Sequence, residues 1–311
     1  PADYPDLLIG LDSADDAAVW KLNERQGLVV TTDFFTPIVD DPYDYGAIAA
    51  ANSLSDVYAM GGKPFLALNI TAFPPDLPVS LMQDILRGGA EKAREAGVVV
   101  AGGHSITDAE PKFGMVVVGW VNRNELLTKG GMQVGDRLFL SKPLGFGVVT
   151  TAHKRGLVSA EELGEATGWM KQLNVAASLL AVESQLGGGT DVTGFGLLGH
   201  AHELAEASGV GLELRFGTIP LLKSARKFAG LYTFPGGAHN NAGFFGPSVS
   251  FDPALSENER MLLFDPQTSG GLLLAVPPEK LIGFRQLAAE RELPIWEIGQ
   301  ALAGEGIRVL P

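Results

Sequence analysis

The chain of 311 residues contains no cysteine. Disulfide bridges, thiolate zinc sites and thiol nucleophiles are therefore excluded for it as it stands. It has no apolar run long enough to span a bilayer and no signal-peptide pattern, which predicts a cytoplasmic protein with no membrane partner. Basic residues are few. Lys and Arg number 23 against 36 Asp and Glu, a net charge of −13, and this argues against a nucleic-acid partner held on a basic face.

What is present is acid, concentrated near the start. Asp3, Asp6, Asp12, Asp15, Asp16, Asp33, Asp40, Asp41, Asp44 and Asp56 crowd the N-terminal third. Hard divalent cations prefer such oxygen ligands, and Mg²⁺ commonly joins one or two carboxylates to substrate phosphates. The most informative stretch is 28–62. Leu28–Thr32 predicts a buried strand that delivers Asp33 at its tip. A loop with Pro37 and Pro42 leads to a helix from about Tyr45 to Met60, closed by Gly61-Gly62 and Pro64. Asn52 and Asp56 stand one turn apart on one face. Asp56 is the one charged residue between Gly46 and Met60, so it must be solvated, hydrogen-bonded or neutralised by a cation. Ala17–Leu22 predicts a strand turning at 23–26 into the next. Asp16 and Asp33 would then end neighbouring strands, and with Asp56 they could form a metal cage. Asp15-Asp16 reads equally well as a turn.

Further along, 64–72 predicts a strand and 79–96 a helix. A short buried strand, 98–101, opens into Gly102-Gly103-His104-Ser105. Paired glycines let backbone N–H groups approach an anion, although a tight turn is the plainer reading and GGHS carries no nucleotide-binding spacing of its own. After a strand at 113–121, the polar stretch 122–136 predicts the boundary between a domain of 1–123 and one of 134–311. The second domain opens with a strand at 137–140, followed by helices within 142–182. Asp191 stands at the glycine-rich entry to a helix at about 197–207, where it could cap amides or ligate a metal. His200 and His202 are two apart and do not make the i, i+4 pair of helical zinc sites. The Gly/Asn-rich stretch 231–246 predicts a long functional flap. Thr268 and Ser269 in DPQTSGG suit either an anion or a turn. A strand at 272–276, a helix at 278–291 and a strand at 307–309 close the chain. Both halves mix strands and helices without strict alternation, which predicts two α+β domains.

Several of these stretches occur together and in order: DDAAV at 15–19, TTDFFTPIVDDPYDYG at 31–46, NSLSDVYAMGGKP at 52–64, AGGHS at 101–105, KPLGFGV at 142–148, TDVTGFGLLGH at 190–200 and DPQTSGGLLLAV at 265–276. Together they resemble the selenophosphate synthetases (selenide, water dikinases), within the aminoimidazole ribonucleotide synthetase-like superfamily. The resemblance implies a two-domain α+β fold whose N-terminal domains form a shared β-barrel in a homodimer, with ATP in the cleft between domains and subunits. It implies that Asp16, Asp33, Asp56 and Asp191 ligate Mg²⁺ ions bridging the ATP phosphates, with K⁺ a further candidate ion. It places Gly102, Gly103, His104 and Ser105 against nucleotide, and Thr32, Asp33 and Asn52 near phosphate or nucleoside. The implied reaction is ATP, selenide and water giving selenophosphate, phosphate and AMP, with the γ-phosphoryl passing to selenium and the β-phosphate released by water. Hydroselenide is already a strong nucleophile, so positioning and charge neutralisation dominate. The family's Cys or selenocysteine and its Lys belong to a glycine-rich segment upstream of Asp15 that this chain lacks. That predicts an N-terminally trimmed or processed chain, in which no catalytic residue is assigned. Gly236–Asn241 departs from the family's Arg-Asn pattern. Two alternatives stand beside this reading: another ATP-using member, of the aminoimidazole ribonucleotide synthetase or thiamine-phosphate kinase type, and a nucleotide-binding core without turnover.

Overall fold

The computed structural model describes residues 4–11 and 15–311, so Asp3 and Asp12 lie outside the described residues. The chain divides into two compact units, Pro1–Leu126 with Met170–Val175, and Leu127–Trp169 with Ala176–Pro311. The division falls inside the polar stretch 122–136. The return of Met170–Val175 to the first unit is invisible to a linear reading, because it rests on side-chain contacts. Lys171 Nζ reaches Asp44 Oδ1 at 2.6 Å and Asn174 Nδ2 donates to Ser55 Oγ at 2.9 Å.

The first unit consists of β1 (Leu7–Ile9), β2 (Ala18–Lys21), β3 (Gln26–Phe35), α1 (Pro42–Ala59), β4 (Lys63–Phe73), α2 (Val79–Glu95), β5 (Val99–Thr107) and β6 (Lys112–Asn122). The strands form one sheet in the order β1-β2-β3-β6-β4-β5, in which only β4 and β5 run parallel. Helix α1 lies on one face of this sheet with α2 beside it. The two helices approach closely because Gly46 and Gly88 face each other's backbones. A Cβ on Gly46 would overlap the Ile85 carbonyl oxygen, and one on Gly88 the Tyr43 carbonyl oxygen. α1 starts earlier than the apolar pattern suggests. Asp41 caps it by accepting the Asp44 N–H at 2.8 Å, and Pro42 takes the first helical position, where its missing N–H costs nothing.

Two expectations change here. β3 does not stop at Asp33, because Phe34 and Phe35 continue the alternation and pair with Gly114 and Phe113 of β6. Asp33 is therefore an internal strand residue. Nor does Gly102–Ser105 form a turn after a buried strand. It lies within β5, an edge strand that is almost wholly exposed. Between Ala67 and Asn69 the β4–β5 register slips by one residue, a bulge that sets Ala101 and Gly102 opposite Leu68, with Gly102 and Gly103 at φ +144° and +156°.

The second unit contains β7 (Arg137–Leu140), α3 (Phe146–Lys154), α4 (Ala160–Lys171, its end belonging to the first unit), α5 (Val175–Glu183), β8 (Gly188–Asp191), α6 (Gly196–Ser208), β9 (Gly211–Arg215), α7 (Ala225–Gly230), α8 (Gly236–Phe245), β10 (Val249–Phe251), α9 (Glu257–Leu262), β11 (Leu272–Val276), α10 (Leu281–Glu290), β12 (Trp296–Leu302) and β13 (Ile307–Leu310). Its sheet runs β10-β13-β9-β12-β7-β11-β8. β11 is buried at every position, as its unbroken LLLAV run implies. The expected flap at 231–246 is instead mostly helix α8. Asn241 ties it down by donating to the carbonyl oxygens of Gly194 and Phe264 at 2.9 and 3.0 Å. Among the described residues no helix is long and apolar enough to cross a membrane.

Candidate active site

In the first unit the predicted residues gather between β3 and α1. Side chains alternate along β3, so Thr31, Asp33 and Phe35 turn toward the helices while Val30, Thr32 and Phe34 turn to the open face. Asn52 on α1 donates to Asp33 Oδ2. One turn further on, Asp56 Oδ2 accepts the Thr31 hydroxyl at 2.5 Å. Asp56 is the one residue between Ala51 and Met60 that is not buried. The same helix is locked to the sheet by Ser53, whose Oγ donates to the Asp33 carbonyl oxygen at 2.9 Å and accepts the Met115 N–H at 3.1 Å. Two half-buried carboxylates thus stand at the β3–α1 seam, Asp33 bonded to Asn52 and Asp56 one turn of α1 beyond Asn52, each oriented by a neutral donor on a rigid element.

The other predicted residues are distributed differently. Thr32 lies on the opposite face from Asp33, because neighbouring strand residues point opposite ways. Asp16 is half-buried, two residues before β2, in a turn where its N–H donates to Asp15 Oδ1 at 3.1 Å. The pairing of Ala18 with Val30 sets it near the level of Thr32. Among the described residues, no three His, Asp or Glu side chains stand close enough to hold a metal ion by themselves, so Asp16, Asp33 and Asp56 are not a preassembled cage. The glycine pair is remote within the chain. Asp33, Met115, Asn69 and Gly103 form one row across β3, β6, β4 and β5, which separates Asp33 from Gly103 by three strand spacings, roughly 14 Å. His104 and Ser105 continue along that exposed edge.

In the second unit Asp191 is the last residue of β8, paired with Leu272 and 2 % exposed. It precedes α6 by five residues and is not that helix's cap. Three motifs converge around it. The Val192 N–H donates to the Gly271 carbonyl oxygen and the Gln267 N–H to that of Thr193. Gln267 Oε1 accepts the N–H groups of Gly145 and Phe146 at 3.0 and 3.1 Å, and Asp265 Oδ2 accepts that of Val148 at 3.1 Å. The DPQ segment therefore caps α3. Ser269, at φ +53°, makes the turn, and its carbonyl oxygen accepts the buried Lys142 ammonium at 2.8 Å. The carboxyl group of DPQTSGG thus sits on a helix start. Burial pushes Asp265 up to about 7, against the pull of the Val148 N–H and the Gln267 amide.

A further polar chain, Thr193–His200–Glu203–Lys129, is not apparent from residue spacing alone. A signal for its loop is nonetheless legible. Gly194-Phe-Gly196-Leu-Leu-Gly199 has the glycine spacing of dinucleotide-binding turns, here between β8 and α6 and without the adjacent parallel strand such turns require.

Two known domain models match most of the chain. That of AIR synthase related protein, N-terminal domain, covers residues 14–121, and that of the corresponding C-terminal domain covers 133–310. Fold and site therefore define an AIR synthase-related protein. Selenide, water dikinase of Carboxydothermus hydrogenoformans is 49 % identical over 276 residues, covering 89 % of this chain and 80 % of that protein. The Pseudomonas putida protein of the same name is 45 % identical over 297 residues, covering 95 % and 86 %. The chain belongs to the selenide, water dikinase family. Among solved structures, AaThiL complexed with AMPPCP and TMP shares the fold, with TM-score 0.69 at 23 % identity, covering 95 % of this chain and 87 % of that one.

Proposed function

We propose that this chain makes selenophosphate from selenide, ATP and water, releasing phosphate and AMP. The observation that carries this reading is its 42–49 % identity, along most of its length, to proteins named selenide, water dikinase. Asp16, Asp33 and Asp56 are the proposed Mg²⁺ ligands of the first unit, and Asp191 is a proposed ligand in the second. The donor set fits. It is oxygen only, and two carboxylates short of a closed cage suit an ion that keeps phosphate oxygens as its other ligands. When bound, the ion neutralises charge on the transferring phosphate. The chain's own part is orientation. Asn52 fixes Asp33, Thr31 fixes Asp56, and Ser53 locks α1 to β3, so neither carboxylate must reorganise when nucleotide arrives. The bound nucleotide analogue of AaThiL supports ATP as the phosphoryl donor.

A homodimer is part of this proposal. The sheet face away from α1 and α2 carries Trp20, Val30, Phe34, Leu68 and Ile106, each 36–54 % exposed. An apolar face this wide beside an unpaired edge strand is rarely left to solvent. A second copy would cover it and bring its own Gly102–Ser105 strand to the assembly. Anaerobic ³¹P NMR with ATP, Mg²⁺ and selenide tests the activity. A selenophosphate resonance accompanied by AMP is expected. ATP consumed without selenophosphate would overturn the reading.

A further inference from the structure

In the second unit a line of polar groups runs from a buried cation to a half-buried hydroxyl near Asp191. Lys129, in a short turn of 3-10 helix at Lys129–Gly131, is 6 % exposed, and its Nζ donates to Glu203 Oε2 at 2.9 Å. Glu203 follows His200 by one turn of α6, and the same oxygen lies 3.4 Å from His200 Nδ1, close enough to act through charge though not as a hydrogen bond. On the far side of the ring, Nε2 is 3.2 Å from Thr193 Oγ1. Thr193 is half-buried, two residues past Asp191, and its neighbours Gly194 and Phe195 are exposed. Burial raises the Glu203 carboxyl, but the His200 ring and the Lys129 ammonium together hold it below its ordinary value. A charged carboxylate beside Nδ1 favours the proton on that nitrogen and leaves the Nε2 lone pair facing the hydroxyl. A hydroxyl beside an imidazole nitrogen is the pairing in which a base activates a hydroxyl, and the nearby carboxylate acts on the ring through its charge.

The proposed reaction contains two phosphoryl transfers with unequal needs. Hydroselenide attacks unaided, whereas water must lose a proton as it attacks phosphorus. Resting on that reading of function, we infer that Thr193 and His200 serve the water step. As the water oxygen bonds to the β-phosphorus, its proton passes to Thr193 Oγ while the threonine's own proton passes to His200 Nε2. The bond from that phosphorus to the bridging oxygen breaks, and its electron pair leaves on AMP. The imidazolium, facing Glu203, then returns its proton to the released phosphate. Thr193 is the catalytic residue; Glu203 and Lys129 position His200.

Thr193→Val keeps the side-chain volume and removes the hydroxyl. With the full chain, Mg²⁺, ATP and selenide, wild type should give AMP and selenophosphate in equal amounts. In Thr193→Val, ADP should replace AMP, lowering the AMP-to-selenophosphate ratio about 100-fold. Thr193→Ser should restore the ratio and His200→Gln should lower it. Apart from turnover, ¹⁵N spectra of the wild-type His200 ring should show Nδ1 protonated and Nε2 bare. A ratio unchanged in Thr193→Val, both products falling together, or a proton on Nε2 would overturn the inference. Wild type that converts ADP to AMP without making selenophosphate would instead refute the reading of function. The effect of Thr193→Val on ADP hydrolysis would still decide the role of Thr193.

Discussion

Asp33 and Asp56 in the first unit and Asp265 in the second all sit in motif-like stretches rich in small residues, yet they live in different environments. Asp265 is fully buried, hydrogen-bonded to the N–H of Val148, and shares its loop with Gln267, which takes two more amides of the same helix start. Asp33 and Asp56 are half-buried, Asp33 accepting from the Asn52 amide and Asp56 from the Thr31 hydroxyl. The first arrangement uses a carboxylate as a helix cap and closes the fold around it. The second orients carboxylates at a surface that a cation and a polyanion can reach. An aspartate's burial and the kind of donor it meets, more than the motif around it, separate scaffold from site.

The sharpest way to break this contrast is to neutralise each carboxylate without changing its shape. Asp33→Asn or Asp56→Asn should lower selenophosphate formation and Mg²⁺-dependent ATP affinity by about 100-fold or more, with little change in melting temperature. Calorimetric titration with ATP in the presence and absence of Mg²⁺, beside a thermal melt, checks both halves of the expectation. Gly46→Leu probes the scaffold beneath that site. The added side chain must push α1 from α2, and a loss of about 3 kcal/mol is expected from the urea midpoint. Asp265→Asn sharpens the comparison through pH. The folded chain holds the Asp265 proton more tightly than the unfolded chain, so the burial penalty is full above about pH 7 and is relieved as pH falls toward 3.8. Between about pH 8 and about pH 6 the wild type should gain ~1.4 kcal/mol that the variant does not. Chemical denaturation at the two pH values measures it. Ile106→Glu should leave the stability of the first unit nearly unchanged and shift the sedimenting species from dimer to monomer. A dimer that persists would remove the open sheet face as the interface.

Much of the first unit was legible in its residues. The alternation of 28–32, the Gly61-Gly62 stop and the i, i+4 spacing of Asn52 and Asp56 gave strand, helix and a shared face. What escaped was a matter of long-range pairing. Whether Gly102-Gly103 turns or extends is undecided locally, since glycine permits both, and β4 decides it by supplying a partner with one residue fewer. The end of β3 was hidden because β6, far along the chain, extends the ladder past Asp33. In the second unit, β8 is half glycine, β10 has three residues, and 236–245 lacks the apolar rhythm that marks a helix.

By itself, the sequence determined the kind of chemistry available: oxygen ligands without thiols, an acidic chain, an ordered motif set and an α+β pattern. Those follow from residue types and local periodicity, which need no partner. Only the tertiary structure decided which carboxylates become caps and which stay open. It alone carried β3 past Asp33, and it joined Thr193 to Lys129 through His200 and Glu203. Each of these depends on what lies across a strand pair or a helix face, and chain separation in sequence carries no such information.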